Sequence, residues 1–161
     1  MSEYIHIGRL IQKEVGKEKG KLPWLADKIA CTESDIHWIY TRQHINFEQL
    51  IKFCIHLKKD FFAYYSEHVR EWVLFSEKPQ YTGGKIDIGA LIQAKMNEDG
   101  RKTGWLAEKI CCSISTCTRI YQRKHIEAKR LIAICRHLKT DFFACYSEYV
   151  CQQIQKENNK I

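Results

Sequence analysis

No run in the chain approaches the roughly 18 consecutive apolar residues of a membrane-spanning helix, so no membrane partner is expected. Met1 to His6 have neither the basic start nor the apolar stretch of an export signal, which leads to the expectation of a cytoplasmic protein. Cys-x-x-Cys is absent although the chain has eight cysteines. Without that spacing a zinc site is not expected, even where Cys111, Cys112 and Cys117 lie close in sequence to His125. No glycine-rich phosphate loop, metal-spaced cluster or nucleophile–base pair stands out, and the seven histidines are scattered. Catalysis is therefore not expected, and neither a cofactor nor a metal is called for.

The chain does contain itself twice. Residues 5–69 and 86–150 align without a gap at an offset of 81, and about half of the paired positions are identical. Both copies open on Ile-x-Ile-Gly-x-Leu-Ile-Gln (from Ile5 and Ile86), carry Trp-Leu-Ala-x-Lys-Ile (from Trp24 and Trp105), and close on Asp-Phe-Phe-Ala-x-Tyr-Ser-Glu (from Asp60 and Asp141). So long a period means a duplicated domain rather than a solenoid. The expected division is a first domain over 1–75, a linker over 76–85 and a second domain over 86–161. Kept positions are expected to hold the fold, and changed positions to set what each copy does. Cys31 matches Cys112 and Cys54 matches Cys135, so these cysteines, like Cys111 and Cys117, read as core residues.

Each copy reads as all helix. Ile7, Leu10, Ile11 and Val15 form one stripe of an amphipathic helix, repeated by Ile88, Leu91, Ile92 and Met96. A second helix is predicted from about Pro23 to Ala30, with Pro23 in its first turn and Trp24, Leu25 and Ile29 facing the core. Thr32 and Asp35 are spaced as a capping box for a third helix that buries Ile36 and Ile39, with Ser113 and Thr116 the weaker counterpart. About two residues separate the second and third helices, which forces a steep crossing as in a helix-turn-helix. A fourth helix is predicted over about Phe47 to Lys58, then a final aromatic helix capped by Asp60 or Asp141. Gln152 to Ile161 is polar and expected to fray.

The run from Leu25 to Ile39, and more closely that from Leu106 to Ile120, resembles the two central helices of the Cro/C1-type (lambda-repressor-like, XRE) helix-turn-helix family. Ala26 and Ala107 stand where that family needs a small residue between helices, whereas the turn position that is often glycine is Ala30 or Cys111. The resemblance covers both copies and implies two tandem five-helix, all-α domains that bind double-stranded DNA. It implies a prokaryotic or phage transcriptional regulator, acting as a repressor, with the third helix in the major groove. Carried over position by position, it makes Ile114, Ser115, Thr118 and Arg119 the reading residues of copy two, following Ser113 at the helix start. Arg119 would match the O6 and N7 acceptors of guanine. Lys102 and Thr103 would meet phosphate at the start of the second helix, and Arg123, Lys124 and His125 after the third.

Copy one departs where reading would occur. The matching positions are Glu33, Ser34, His37 and Trp38, while Lys21, Arg42 and His44 equal Lys102, Arg123 and His125. Carboxylates at that face repel phosphate, and an exposed tryptophan suits a protein interface. Residues 1–76 carry a net charge of +1 and residues 77–161 a net +6. The expectation is a reader of an asymmetric site whose second copy supplies most of the affinity. The alternative is an interaction module, an antitoxin or adaptor, whose first copy binds a protein or itself through Trp38 and through Trp72 and Phe75 of the apolar 72–75 segment.

Overall fold

The computed structural model describes residues 5–16, 18, 20–71, 78–79 and 83–160. Among them lie ten helices and no strand, so the chain is all-α. Copy one contributes α1 (Ile7–Val15), α2 (Lys21–Lys28), α3 (Glu33–Tyr40), α4 (Phe47–Leu57) and α5 (Phe62–Arg70). Copy two contributes α6 (Ile88–Glu98), α7 (Thr103–Lys109), α8 (Ile114–Ile120), α9 (Ala128–Leu138) and α10 (Phe143–Asn158). The C-terminal residues expected to fray are helical as far as Asn158, and the expected linker falls partly outside the described residues.

Compactness does not follow the repeat. One compact unit is Met1–Phe61 together with Val150–Ile161, and the other is Phe62–Tyr149. The boundary drawn from the repeat at residues 75 to 86 therefore separates the copies but not the compact units, because α5 packs on α9 inside the second unit.

In the first unit the core is built from Ile7, Ile11, Leu25, Ile36, Leu50, Phe53 and Cys54, all fully buried. Gly8 explains how α1 meets α3: a Cβ there would fall 2.3 Å from the Ile39 carbonyl oxygen. Only hydrogen fits in that space. The close approach lets the backbone pair directly, Ile7 N donating to Gln43 O at 2.9 Å and Gly8 N to Arg42 O at 3.0 Å. The second unit repeats the joint. A Cβ on Gly89 would meet Ile120 O at 2.4 Å, and Ile88 N and Gly89 N donate to Lys124 O and Arg123 O. The start of the first helix of each copy is thus tied to the chain just beyond the third.

The turns between α2 and α3 and between α7 and α8 are tight enough to require a left-handed residue. Ala30 has φ +55° and Cys111 φ +56°. These are the positions where the resemblance calls for glycine, and a side chain there costs roughly 1–2 kcal/mol. Cys111 is correspondingly exposed, not a core residue as its sequence neighbourhood suggests, and Cys151 is exposed too. Trp24 also departs from expectation. It is 42% exposed while Leu25 and Ala26 behind it are buried.

The last helices supply the largest buried surfaces. Phe61, Phe62, Tyr65, Phe142, Phe143 and Tyr146 are all inaccessible to solvent, as the sequence leads one to expect. Inside the second unit, Phe62 stacks on Tyr146 with centroids 4.6 Å apart, and Tyr65 stacks on Phe143 at 4.7 Å. These are the same residue pair with the copies exchanged, since Phe62 matches Phe143 and Tyr65 matches Tyr146. The α5–α10 seam is therefore self-complementary, as in a two-fold dimer interface.

Asp141 is fully buried beside that seam. Its Oδ1 accepts from Ala144 N at 3.2 Å, which caps α10, and its Oδ2 lies 3.4 Å from Arg70 Nε without a hydrogen bond. Arg70 has no counterpart: the position is Cys151 in copy two.

Candidate nucleic-acid interface

The outward face of α8 is set by what the helix buries. Cys117 and Ile120 point into the core, which turns Ile114, Ser115, Thr118 and Arg119 outward. The four lie at i, i+1, i+4 and i+5 and so share one face. Ser113 begins the helix, its Oγ accepting from Thr116 N at 3.1 Å, so this hydroxyl is occupied in capping. Ile114 is 60% exposed, an apolar group held largely in water. The Thr118 hydroxyl donates to Ile114 O at 3.0 Å, which fixes its rotamer and leaves its oxygen lone pairs outward. Arg119 is exposed and forms no ion pair among the described residues.

Flanking groups gather at the ends of α8. Thr103 Oγ1 donates to Tyr121 Oη at 3.4 Å, which brings the start of α7 beside the end of α8. Lys102, Arg123 and Lys124 are exposed, and the main chain of the latter two is held by the α6 joint. His125 belongs elsewhere. Its Nδ1 lies 2.8 Å from Tyr146 Oη and its ring is half-buried. Burial pushes the Tyr146 phenol far above its ordinary range, so the hydroxyl stays protonated and His125 satisfies it. The backbone-contacting role that the resemblance implies for His125 gives way to that structural one.

The same face in copy one is chemically different. Thr32 and Asp35 form a complete capping box, Thr32 N donating to Asp35 Oδ2 at 2.9 Å and Asp35 N to Thr32 Oγ1 at 3.1 Å. The backbone and side-chain hydrogen bonds from Thr32 hold the Asp35 carboxyl below its ordinary value. Glu33, Ser34 and His37 are exposed, and Trp38 is 59% exposed. The Arg42 guanidinium lies over the Trp38 ring, 4.4 Å from its centroid. Lys21 is 16% exposed and paired with Glu18 at 3.5 Å, whereas its counterpart Lys102 is exposed. Two of the cations that sequence identity would assign to gripping DNA in copy one are thus engaged within the chain, and His44 is half-buried. Trp72 and Phe75 lie outside the described residues.

A second aromatic–cation contact was not signalled by any motif. Arg101 lies over the Trp105 ring at 3.9 Å from its centroid. The signal was present in the repeat, where Arg101 faces Gly20 across the alignment while the tryptophan is kept. Among the described residues no three histidine, cysteine or acidic side chains are grouped so as to hold a metal ion, and no helix is long and apolar enough to cross a membrane. No protein-family model, curated protein or solved structure matches the chain.

Proposed function

We propose that the chain binds double-stranded DNA sequence-specifically through α8, as a cytoplasmic transcriptional regulator that represses by occupying its site. The observation that carries this reading is the outward face of α8. An exposed arginine, two hydroxyls and an exposed isoleucine occupy one side of a short helix that starts from a tight turn. Those groups match what a major groove offers: acceptors on guanine, donors and acceptors on other base edges, and the thymine methyl. The net charge of +6 on residues 77–161 supplies the sequence-independent attraction to phosphate. Lys102, Arg123 and Lys124 flank the reading face as backbone contacts, with Thr103 held by Tyr121. No catalytic step, metal or cofactor enters this reading.

Arg119→Ala is expected to weaken binding to the preferred duplex by about 1–3 kcal/mol and to relax preference at one base pair. Selection of preferred duplexes from a random pool, followed by titration of the wild-type and variant chains, measures both. Equal loss on all sequences would make Arg119 a phosphate contact and overturn its reading role.

A second reading is favoured by one observation in copy one. Trp38 is exposed, carries Arg42 on its ring and sits among Glu33 and Asp35. That combination of an aromatic anchor with a polar rim suits a protein partner, or self-association, better than a phosphate backbone.

A further inference from the structure

The two copies differ at one site in a way that identifies a ligand. In copy two the Arg101 guanidinium covers one face of Trp105. In copy one the tryptophan is kept as Trp24, but the arginine position is Gly20, and Trp24 is left 42% exposed. Beside it is an open cavity of about 370 Å³, lined by Trp24, Gly20, Glu18, Lys21, His56, Leu57 and Lys58. His56 forms the wall, its ring edge-on to Trp24 with centroids 6.4 Å apart. We infer that this cavity is a binding site for a guanidinium group, an arginine side chain presented by a partner protein, which takes on Trp24 the place Arg101 takes on Trp105.

The Trp24 site is independent of the DNA reading of α8. Its support is the repeat as an internal control. Lysines at the rim of the cavity would ordinarily count against a cation. Yet Lys21, His56, Leu57 and Lys58 match Lys102, His137, Leu138 and Lys139, and copy two, with that same set in its sequence, holds Arg101 on its tryptophan. In copy one Lys21 is moreover neutralised by Glu18 at 3.5 Å, and burial holds the His56 imidazole below its ordinary range, towards its uncharged form, with Glu157 offsetting only part of that. The surroundings are thus no more hostile to a cation than those that already hold one. A guanidinium suits the place better than an ammonium because it is planar, stacks on indole, and sheds water more readily. Gly20 also leaves room: a Cβ built there meets nothing within 4 Å.

The test uses the full chain and an acetylated, amidated arginine peptide, with citrulline and lysine peptides of the same sequence as controls. The readout is the indole N–H resonances, assigned by tryptophan substitution. Saturable movement of the Trp24 resonance by the arginine peptide is expected, with a dissociation constant on the order of 1 mM, weaker for lysine and absent for citrulline. Trp24→Ala should remove the binding, and Arg101→Gly should add a second equivalent site that moves the Trp105 resonance. Equal response to the citrulline peptide would overturn the proposal. So would response to inorganic phosphate in place of the arginine peptide, or no gain at Trp105 in Arg101→Gly.

Discussion

At the end of α3, Arg42 is folded over Trp38, while on α8 Arg119 stands in Trp38's place with no ring and no acid among the described residues to hold it. The third helices are otherwise built alike, with a hydroxyl cap, a buried inner face (Ile36, Ile39 and Tyr40 in α3, Cys117 and Ile120 in α8) and a main-chain joint to the first helix. The difference separates what such a helix pair needs in order to stand from what it turns to solvent. The first is carried by atoms that face inward or belong to the backbone, and it is the same in both copies. The second is carried by four or five outward side chains, and there the copies share almost nothing but a serine.

The largest expected effect tests the shared half of that comparison. Gly89→Ala would place a methyl group 2.4–2.6 Å from the carbonyls of Ile120 and Tyr121, and backbone cannot yield as a side chain can. A loss of about 3 kcal/mol is expected, at the upper end for overpacking, read as a fall in the urea midpoint. Gly8→Ala should cost a similar amount. If only one glycine matters, the two joints are not equivalent.

Arg70→Ala comes next and tests a place where the copies differ. It would leave the fully buried Asp141 without its charge partner. Breaking a buried pair costs about 3–5 kcal/mol, but Arg70 is 48% exposed, which screens the interaction, so about 2 kcal/mol is expected. Arg70→Ala combined with Asp141→Asn should recover part of the loss in thermal unfolding. The same loss in the double variant would show that Arg70 acts by packing and not by charge.

The smallest effect bears on the turn. Cys111→Gly and Ala30→Gly should each stabilise the chain by about 1 kcal/mol, since glycine relieves a left-handed backbone at φ near +55°. A Cys111→Gly chain that melts at a lower temperature would mean that the thiol makes a contact outweighing the strain.

Much of this was legible in the sequence. Periodicity marked the first, third and fourth helices within a residue or two, and the Thr32–Asp35 spacing gave the capping box outright. These features are local: each depends on residues within one or two turns. Three others escaped because they depend on residues far apart in the chain. Trp24 is expected in the core beside Leu25, whereas its ring meets His56 of α4 edge-on and stays 42% exposed. The resemblance implies a DNA-backbone contact for His125, whereas Tyr146, distant in the chain, lies within 2.8 Å of its ring. The compact units could not be drawn from the repeat, because duplication records where the sequence was copied and not which copy each helix packs against.

The joint between the first and third helices has a consequence for how such a protein changes over time. The ties from Ile7, Gly8, Ile88 and Gly89 run to carbonyl oxygens of Arg42, Gln43, Arg123 and Lys124. Every residue type carries that oxygen. Selection can therefore exchange the side chains at those stations, as Gln43 and Lys124 already illustrate, without loosening the scaffold. A gene carrying two such units is free to keep one specificity while inventing another, with a pair of glycines as the fixed cost.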